Sequence, residues 1–432
     1  MLYRLQRIFE WVLFIILWVV LLTSSTPIYT SIYDRARAYT RSMEFDYISW
    51  TFNAAWIKFQ QDSISSPHYI DRETRKQIVM EYLRVSNQIF QDEGKLNQMF
   101  ADPSIKDKQA TSASLRHELD NLYNQQSKLA PFAESILQEQ VSSILAQQGL
   151  TVGGQPIPPV LYHMSPVPNA LIVSPRDHIE QIANISLSPK MTVDQEAALE
   201  NQVDKGLNVS SLVVPIGGIG SYPTMVMRTT DLSWLLETVS HEWTHNYLSL
   251  RPLGINYDTT PELRTMNETT ASIVGKEIGT LVLKTYYPEL ADTSAPDLSL
   301  VSFPGSRPNP NDLPRPVFDF RKEMRLTRVT VDELLSEGKI DQAETYMEQR
   351  RQVFWDHGYA IRKLNQAYFA FYGAYADVPG GAAGADPVGP AVRTLRAQSK
   401  SLADFVNTIS WMTSFRQLQN TVAQPATAQV TP

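Results

Sequence analysis

The chain has 432 residues, 43% of them hydrophobic, a formal net charge of -7 and no cysteine. Its length and apolar content allow two or three domains with a sizeable core, while the acidic balance and the lack of a Lys/Arg cluster interleaved with aromatics argue against nucleic acid as a partner. Without cysteine neither a disulfide framework nor a thiolate metal site can form, so any metal must be held by nitrogen and oxygen.

At the amino terminus Arg4 and Arg7 precede an apolar run, and no charged residue occurs between Glu10 and Asp34. At ~1.5 Å per helical residue, the uncharged stretch from Trp11 to Tyr33 is long enough for a bilayer core of about 30 Å. Its dense apolar part, residues 11–22, also fits the core of a cleavable signal peptide, with Thr23-Ser24-Ser25 as the best, though weak, cleavage candidate. Residues 1–33 are therefore read as a signal anchor or transmembrane segment, retained in preference to cleaved. The bulk of the chain is expected outside the cytoplasm, periplasmic or extracellular.

Beyond it, Phe45, Ile48, Phe52, Ala55, Trp56 and Phe59 recur at helical spacing, which predicts an amphipathic helix over 43–59. A second helix is predicted over 72–99, broken by Asp102-Pro103-Ser104, and a third over 111–150, interrupted or kinked at Pro131. Two long helices joined by a short turn form an antiparallel hairpin, expected to pack without chemistry of its own. From Thr151 the character changes. Short strands are predicted at 160–162, 170–174, 210–216 and 224–228, with a helix at 193–207 and a glycine turn, Gly217-Gly218-Ile219-Gly220-Ser221, between the last two strands. Helices follow over 232–250 and 261–286, then a loop carrying Pro288, Pro296, Pro304, Pro308, Pro310, Pro314 and Pro316. The remainder reads as helices over 317–336 and 340–375, a Gly/Pro-rich loop over 376–390, short helices to about 418 and a disordered tail from Thr421.

The helix over 232–250, with Asp231 placed as its N-cap, contains His241-Glu242-Trp243-Thr244-His245, an instance of H-E-x-x-H. Residues four apart lie one above the other on a helix, so both imidazoles can reach a single ion while Glu242 points at whatever that ion binds. The pattern is short enough to occur by chance, so context decides. A catalytic zinc wants a third protein ligand and an open position. Glu268 is the candidate: it lies on the next helix and shares its stripe with Ala271, Ser272, Gly275 and Gly279, small residues that permit a close approach to the first helix. Glu277 points the opposite way. Asn267-Glu268-Thr269 is also a glycosylation sequon, and a glycan there would obstruct a metal ligand.

HEWTH followed by Asn267-Glu268-Thr269-Thr270-Ala271, with Gly275-Lys276-Glu277 beyond, resembles the gluzincin zinc metallopeptidases and is similar to bacterial membrane-associated aminopeptidases. The resemblance covers about residues 231–283. It implies that His241, His245 and Glu268 hold Zn2+ and that Glu242 is the general base. Thermolysin-like members place an aspartate four residues after the glutamate ligand, where this chain has Ser272. Gly217-Gly218-Ile219-Gly220-Ser221-Tyr222 occupies the place of the aminopeptidases' amine-binding motif but has no carboxylate, so exopeptidase specificity is not supported and endo versus exo action stays open.

Such a centre hydrolyses amides: the ion polarises a carbonyl, Glu242 takes a proton from the attacking water and passes it to the leaving amine, and a further donor steadies the oxyanion. Tyr372 and Tyr375 are the leading candidates for that donor, from the aromatic face Tyr368, Tyr372, Tyr375 of a helix that also carries His357. His68, His117, His163 and His178 are expected at the surface or as satisfied core residues. The fold class expected is α+β, mainly helical: an N-terminal transmembrane helix (1–33), a helical region with a hairpin (34–150), a zincin-like catalytic core with a small sheet (151–290), a Pro-rich loop (291–316), a C-terminal helical region (317–420) and a disordered tail (421–432). The function expected is a membrane-anchored zinc metallopeptidase acting on a peptide or protein substrate. Two alternatives stand beside it: a non-catalytic, envelope-associated scaffold of the same fold, and a zinc hydrolase of a non-peptide amide. Oligomeric state is not legible.

Overall fold

The computed structural model describes residues 2–22, 31–64, 70–101, 107–291 and 318–423. Within them the chain is mainly helical with a small amount of sheet. Three helices precede the long hairpin: α1 (Leu2–Leu22), α2 (Ile32–Thr40) and α3 (Tyr47–Ile64). α2 was not predicted; it starts at Ser31, whose hydroxyl accepts from the Asp34 amide. Among the described residues no helix is long and apolar enough to cross a membrane. That does not fit the expected spanning segment, part of whose uncharged run, residues 23–30, lies outside the described residues.

The hairpin is present as α4 (Arg72–Ala101) and α5 (Lys108–Gln147), packed along each other. Its predicted Pro-containing turn lies outside the described residues. Pro131 sits within α5 without ending it. Val79, Tyr82 and Leu83 of α4 meet Ala133, Ile136, Leu137 and Val141 of α5, and this seam continues into the core beneath the HEWTH helix.

Six short strands follow: β1 (Tyr162–Met164), β2 (Asn169–Ser174), β3 (Ala183–Leu187), β4 (Ser210–Pro215), β5 (Gly218–Ile219) and β6 (Thr224–Val226), with α6 (Val193–Leu207) between β3 and β4. They form two three-stranded sheets among the described residues, not one: β3-β2-β4, antiparallel throughout, and β1-β6-β5. In the second, β1 runs parallel to β6 and β5 antiparallel to it. β3 was not predicted, although Ala183, Ile185 and Leu187 are buried in alternation with Asn184 and Ser186; β2, at the centre of that sheet, is buried on both faces. Alternating β2 residues show this: Ala170 and Ile172 face the C-terminal helices, whereas Leu171 and Val173 face α2 and α6.

The remaining elements are α7 (Leu232–Leu248), α8 (Pro252–Ile255), α9 (Pro261–Tyr286), α10 (Pro288–Ala291), α11 (Phe320–Ser336), α12 (Ile340–Asp356), α13 (Gln366–Tyr372), a 3-10 turn (Gly381–Ala383), α14 (Val388–Gln398), α15 (Leu402–Ser410) and α16 (Phe415–Ala423). The predicted helix over 340–375 is two helices. Gly358 takes a left-handed φ of 88° after α12, a conformation a continuing helix cannot contain, and the Asn365 side chain caps α13 at the Tyr368 amide. His357 therefore ends α12, exposed and stacked on Phe318, rather than sharing a helix with Tyr372. The predicted tail starts too early, since α16 runs to Ala423. The Pro-rich segment 292–317 lies outside the described residues.

Candidate metal centre

α7 begins as its sequence dictates, with the Asp231 carboxylate accepting from the Trp234 amide. Its apolar face, Leu232, Leu235, Leu236, Val239 and Trp243, is buried in the largest core cluster. Burying that face turns His241 and His245 towards α9. The two helices lie unusually close there: a Cβ added to Gly275 would stand 2.8 Å from the Glu237 carbonyl oxygen and 3.0 Å from His241 Cβ, and one on Gly279 would stand 2.8 Å from the Glu237 amide nitrogen. The small-residue stripe is thus where the helices meet.

This approach brings the three predicted ligands together. His241 Nε2 and His245 Nε2 are 3.1 Å apart, and Glu268 Oε2 is 3.5 Å from each. A point equidistant from three atoms so spaced lies about 2 Å from every one, the distance at which zinc is held by imidazole and carboxylate. Glu268 Oε2 is buried and has no hydrogen-bond partner. A buried carboxylate oxygen is rarely left so, and an ion held among the three side chains would satisfy it. The donor set of two nitrogens and an oxygen suits Zn2+.

Hydrogen bonds from outside the cluster hold two of its three side chains. Asn267 Oδ1 accepts from His245 Nδ1 at 2.8 Å. When that ring is neutral, this leaves the Nε2 lone pair towards the centre. The Tyr257 hydroxyl donates to Glu268 Oε1, leaving Oε2 towards the two imidazoles. Burial pushes the Glu268 carboxyl up, but the neighbouring imidazoles outweigh it and hold the group well below the usual carboxylate range. For His245 burial favours the neutral ring, yet the Glu268 carboxylate raises it to about 9. An ion bound here would therefore displace the proton that Glu268 favours on His245. Asn267 is 1% exposed, so the sequon it opens cannot carry a glycan in this fold.

Glu242 is buried, and burial raises its carboxyl above the ordinary value against the pull of both imidazoles. β5, an edge strand of its sheet, lies directly on it. A Cβ at Gly218 would come 2.8 Å from Glu242 Cγ and Oε1, and one at Gly220 would come 3.0 Å from His245 Cβ. The glycines of the 217–221 stretch are there because backbone has to pass over the motif helix at this distance.

The two tyrosine candidates part company. Tyr375 stacks on the His241 ring, centroids 6.2 Å apart, and burial, with Glu268 next, keeps its hydroxyl protonated. Tyr372 instead lies tilted against Tyr368, centroids 4.5 Å apart, and packs with the C-terminal core. Sequence reading missed Tyr257, Asn267 as a partner of His245, and Arg264, which is buried one turn before Glu268 and donates to the Ala370 carbonyl. Only the i, i+4 spacing of Arg264 and Glu268 was visible beforehand; Tyr257 sits in a connecting loop with no periodicity. A cavity of ≈ 420 Å³ lies beside α9, lined among others by Asp258, Arg264, Thr265, Phe369 and Gly373, but by neither histidine nor Glu242. His163 is no ligand: it bonds to buried Glu134.

No family model, curated protein or solved structure matches the chain.

Proposed function

We propose that this chain is a zinc-dependent, membrane-attached peptidase whose catalytic part lies outside the cytoplasm, with α7, α9 and β5 forming a zincin-like centre similar to that of gluzincins. The observation that carries the metal is Glu268 Oε2, buried, without a partner, and equally distant from two imidazole nitrogens. When bound, zinc supplies a Lewis acid and lowers the pKa of water towards neutrality.

The chain's own residues supply the rest. Glu242, beside both ligands and with its pKa raised by burial, accepts a proton from the attacking water and returns it to the departing amine; a carboxyl tuned upward serves both transfers better than an ordinary one. Tyr375, protonated and against His241, is the donor to the developing oxyanion. Tyr257 and Asn267 hold the ligands in place. The free edge of β5 offers backbone groups to an extended peptide, a pairing read mainly through main chain and hence tolerant of sequence.

Metal content and peptide cleavage test this together. Purified protein should carry about one zinc per chain, and Glu242→Gln should keep the metal while losing cleavage. A Glu242→Gln variant with full activity overturns the mechanism. Wild-type protein that holds zinc and cleaves nothing in a broad peptide library overturns catalysis in favour of a non-catalytic binding scaffold.

A further inference from the structure

The apolar stripe of α3 faces outward. Ile48, Phe52, Trp56 and Phe59 are 72%, 74%, 61% and 65% exposed. A surface helix normally buries such a stripe, and its spacing is that of a core-facing helix. The other side of α3 is what the fold holds. The Tyr47 hydroxyl bonds to Ser186 Oγ at 2.7 Å, Trp50 Nε1 donates to Ser165 Oγ at 2.9 Å, and Ala54 is fully buried. Lys58, buried, meets the wholly buried Glu134 at 2.5 Å. Turning the helix to hide its aromatics would pull Lys58 off Glu134 and strand a buried carboxylate, which is strongly unfavourable. The ion pair therefore locks the apolar face out.

We infer that this face of α3 lies on a phospholipid bilayer, an inference that rests on the membrane attachment proposed above for the amino-terminal end of the chain. Two observations select lipid over a protein partner. First, α1 of the same chain leaves Ile8, Phe9, Trp11, Val12, Leu13, Phe14, Ile15, Ile16, Leu17 and Trp18 all exposed, so apolar demand is concentrated at this end of the chain. Second, the exposed polar residues between the stripe positions, Ser49 and Asn53, are uncharged, and the described cation of the helix is turned inward; Trp and Phe on such a face suit the headgroup boundary. Held at two places, the body of the protein would sit against the surface in one orientation. The inference stands apart from the zinc reading.

The chain has no cysteine, so single labels can be placed at will. Full-length protein bearing Phe52→Cys or, as reference, Gln349→Cys on α12 would be labelled with an environment-sensitive fluorophore and reconstituted into phosphatidylcholine/phosphatidylglycerol vesicles. Position 52 is expected to be quenched several-fold more strongly than 349 by nitroxide-bearing lipid, and to be shielded from aqueous iodide. Asn53→Cys in a background of Ile48→Ser, Phe52→Ser, Trp56→Ser and Phe59→Ser should lose that quenching with the thermal midpoint unchanged. Equal quenching at 52 and 349 overturns the inference. So does energy transfer between labels at 52 that disappears on dilution with unlabelled chain while lipid quenching is absent, which assigns the face to a second copy.

Discussion

Asn267 Oδ1 lies 2.8 Å from His245 Nδ1, so the residue immediately before one proposed metal ligand orients another across the α7–α9 interface. In thermolysin-like enzymes the resemblance leads one to look for an aspartate at position 272, where Ser272 stands; the bond from Asn267 supplies a partner for an imidazole from a different position on the same helix. Replacing Asn267 with Ala frees the ring to adopt the other tautomer and should weaken zinc binding about 10- to 100-fold, measured by competition with a chromogenic chelator. Asn267→Asp, which still accepts, should recover most of the affinity. Equal loss in both variants would mean that the side chain matters for packing alone.

Tyr257 and Tyr375 should separate by readout. Tyr257→Phe removes the hydrogen bond to Glu268 Oε1 and is expected to lower zinc affinity several-fold, in line with the loss of a partner to a metal-holding carboxylate. Tyr375→Phe should leave zinc content intact and lower kcat on a peptide substrate by about 10²-fold, the scale of a lost oxyanion donor. A drop in KM alone, or loss of zinc from Tyr375→Phe, contradicts that role. Tyr372→Phe, away from the centre, should change neither.

The close approach at Gly275 sets up a third test. A methyl group there would stand 2.8 Å from the backbone oxygen of Glu237 and 3.0 Å from His241 Cβ, and backbone inside a helix cannot yield easily. Gly275→Ala should destabilise by about 1–3 kcal/mol through overpacking, and by prising α9 from α7 should also lower zinc occupancy. Unchanged thermal stability and unchanged zinc content would show that the helices can part without disturbing the centre.

That His241, His245 and Glu268 come together was legible in the sequence, whereas several of the contacts around them were not, and the reason is range. His241, Glu242 and His245 are related by four-residue geometry within one helix, and Glu268 is betrayed by the small residues on its own stripe, so local periodicity places all four. Tyr257 and Asn267 act across the interface, and no local pattern distinguishes either from an ordinary loop or helix residue. The two-sheet arrangement was invisible for the same reason: β1 pairs in parallel with β6, Tyr162 opposite Thr224, far apart in the chain. α3 shows the opposite failure. Its periodicity correctly predicts a helix, but its inward face is chosen by Lys58 and its partner Glu134, seventy-six residues away, so the rule that apolar faces point inward gives the wrong side.

That ion pair makes the last prediction. Burial pushes the Glu134 carboxyl up, but Lys58 and a hydrogen bond from His163 outweigh it and bring it down to about 2 from an ordinary value of 4.5. Because the folded value is the lower one, the group stabilises the fold fully above about pH 4.5, and the contribution is lost as pH falls towards about 2; the shift corresponds to about 3 kcal/mol. Glu134→Gln leaves Lys58 buried without its counter-charge, so near neutral pH the variant should be less stable by about 3–5 kcal/mol. The difference should shrink on acidification, because the wild type loses the ionised partner while the variant has none to lose. Urea unfolding near pH 7 and near pH 3 reads both effects. Wild type and variant losing stability in parallel over that interval would show that Glu134 does not carry the acid sensitivity, and would also weaken the argument that this pair holds the aromatic face of α3 outward.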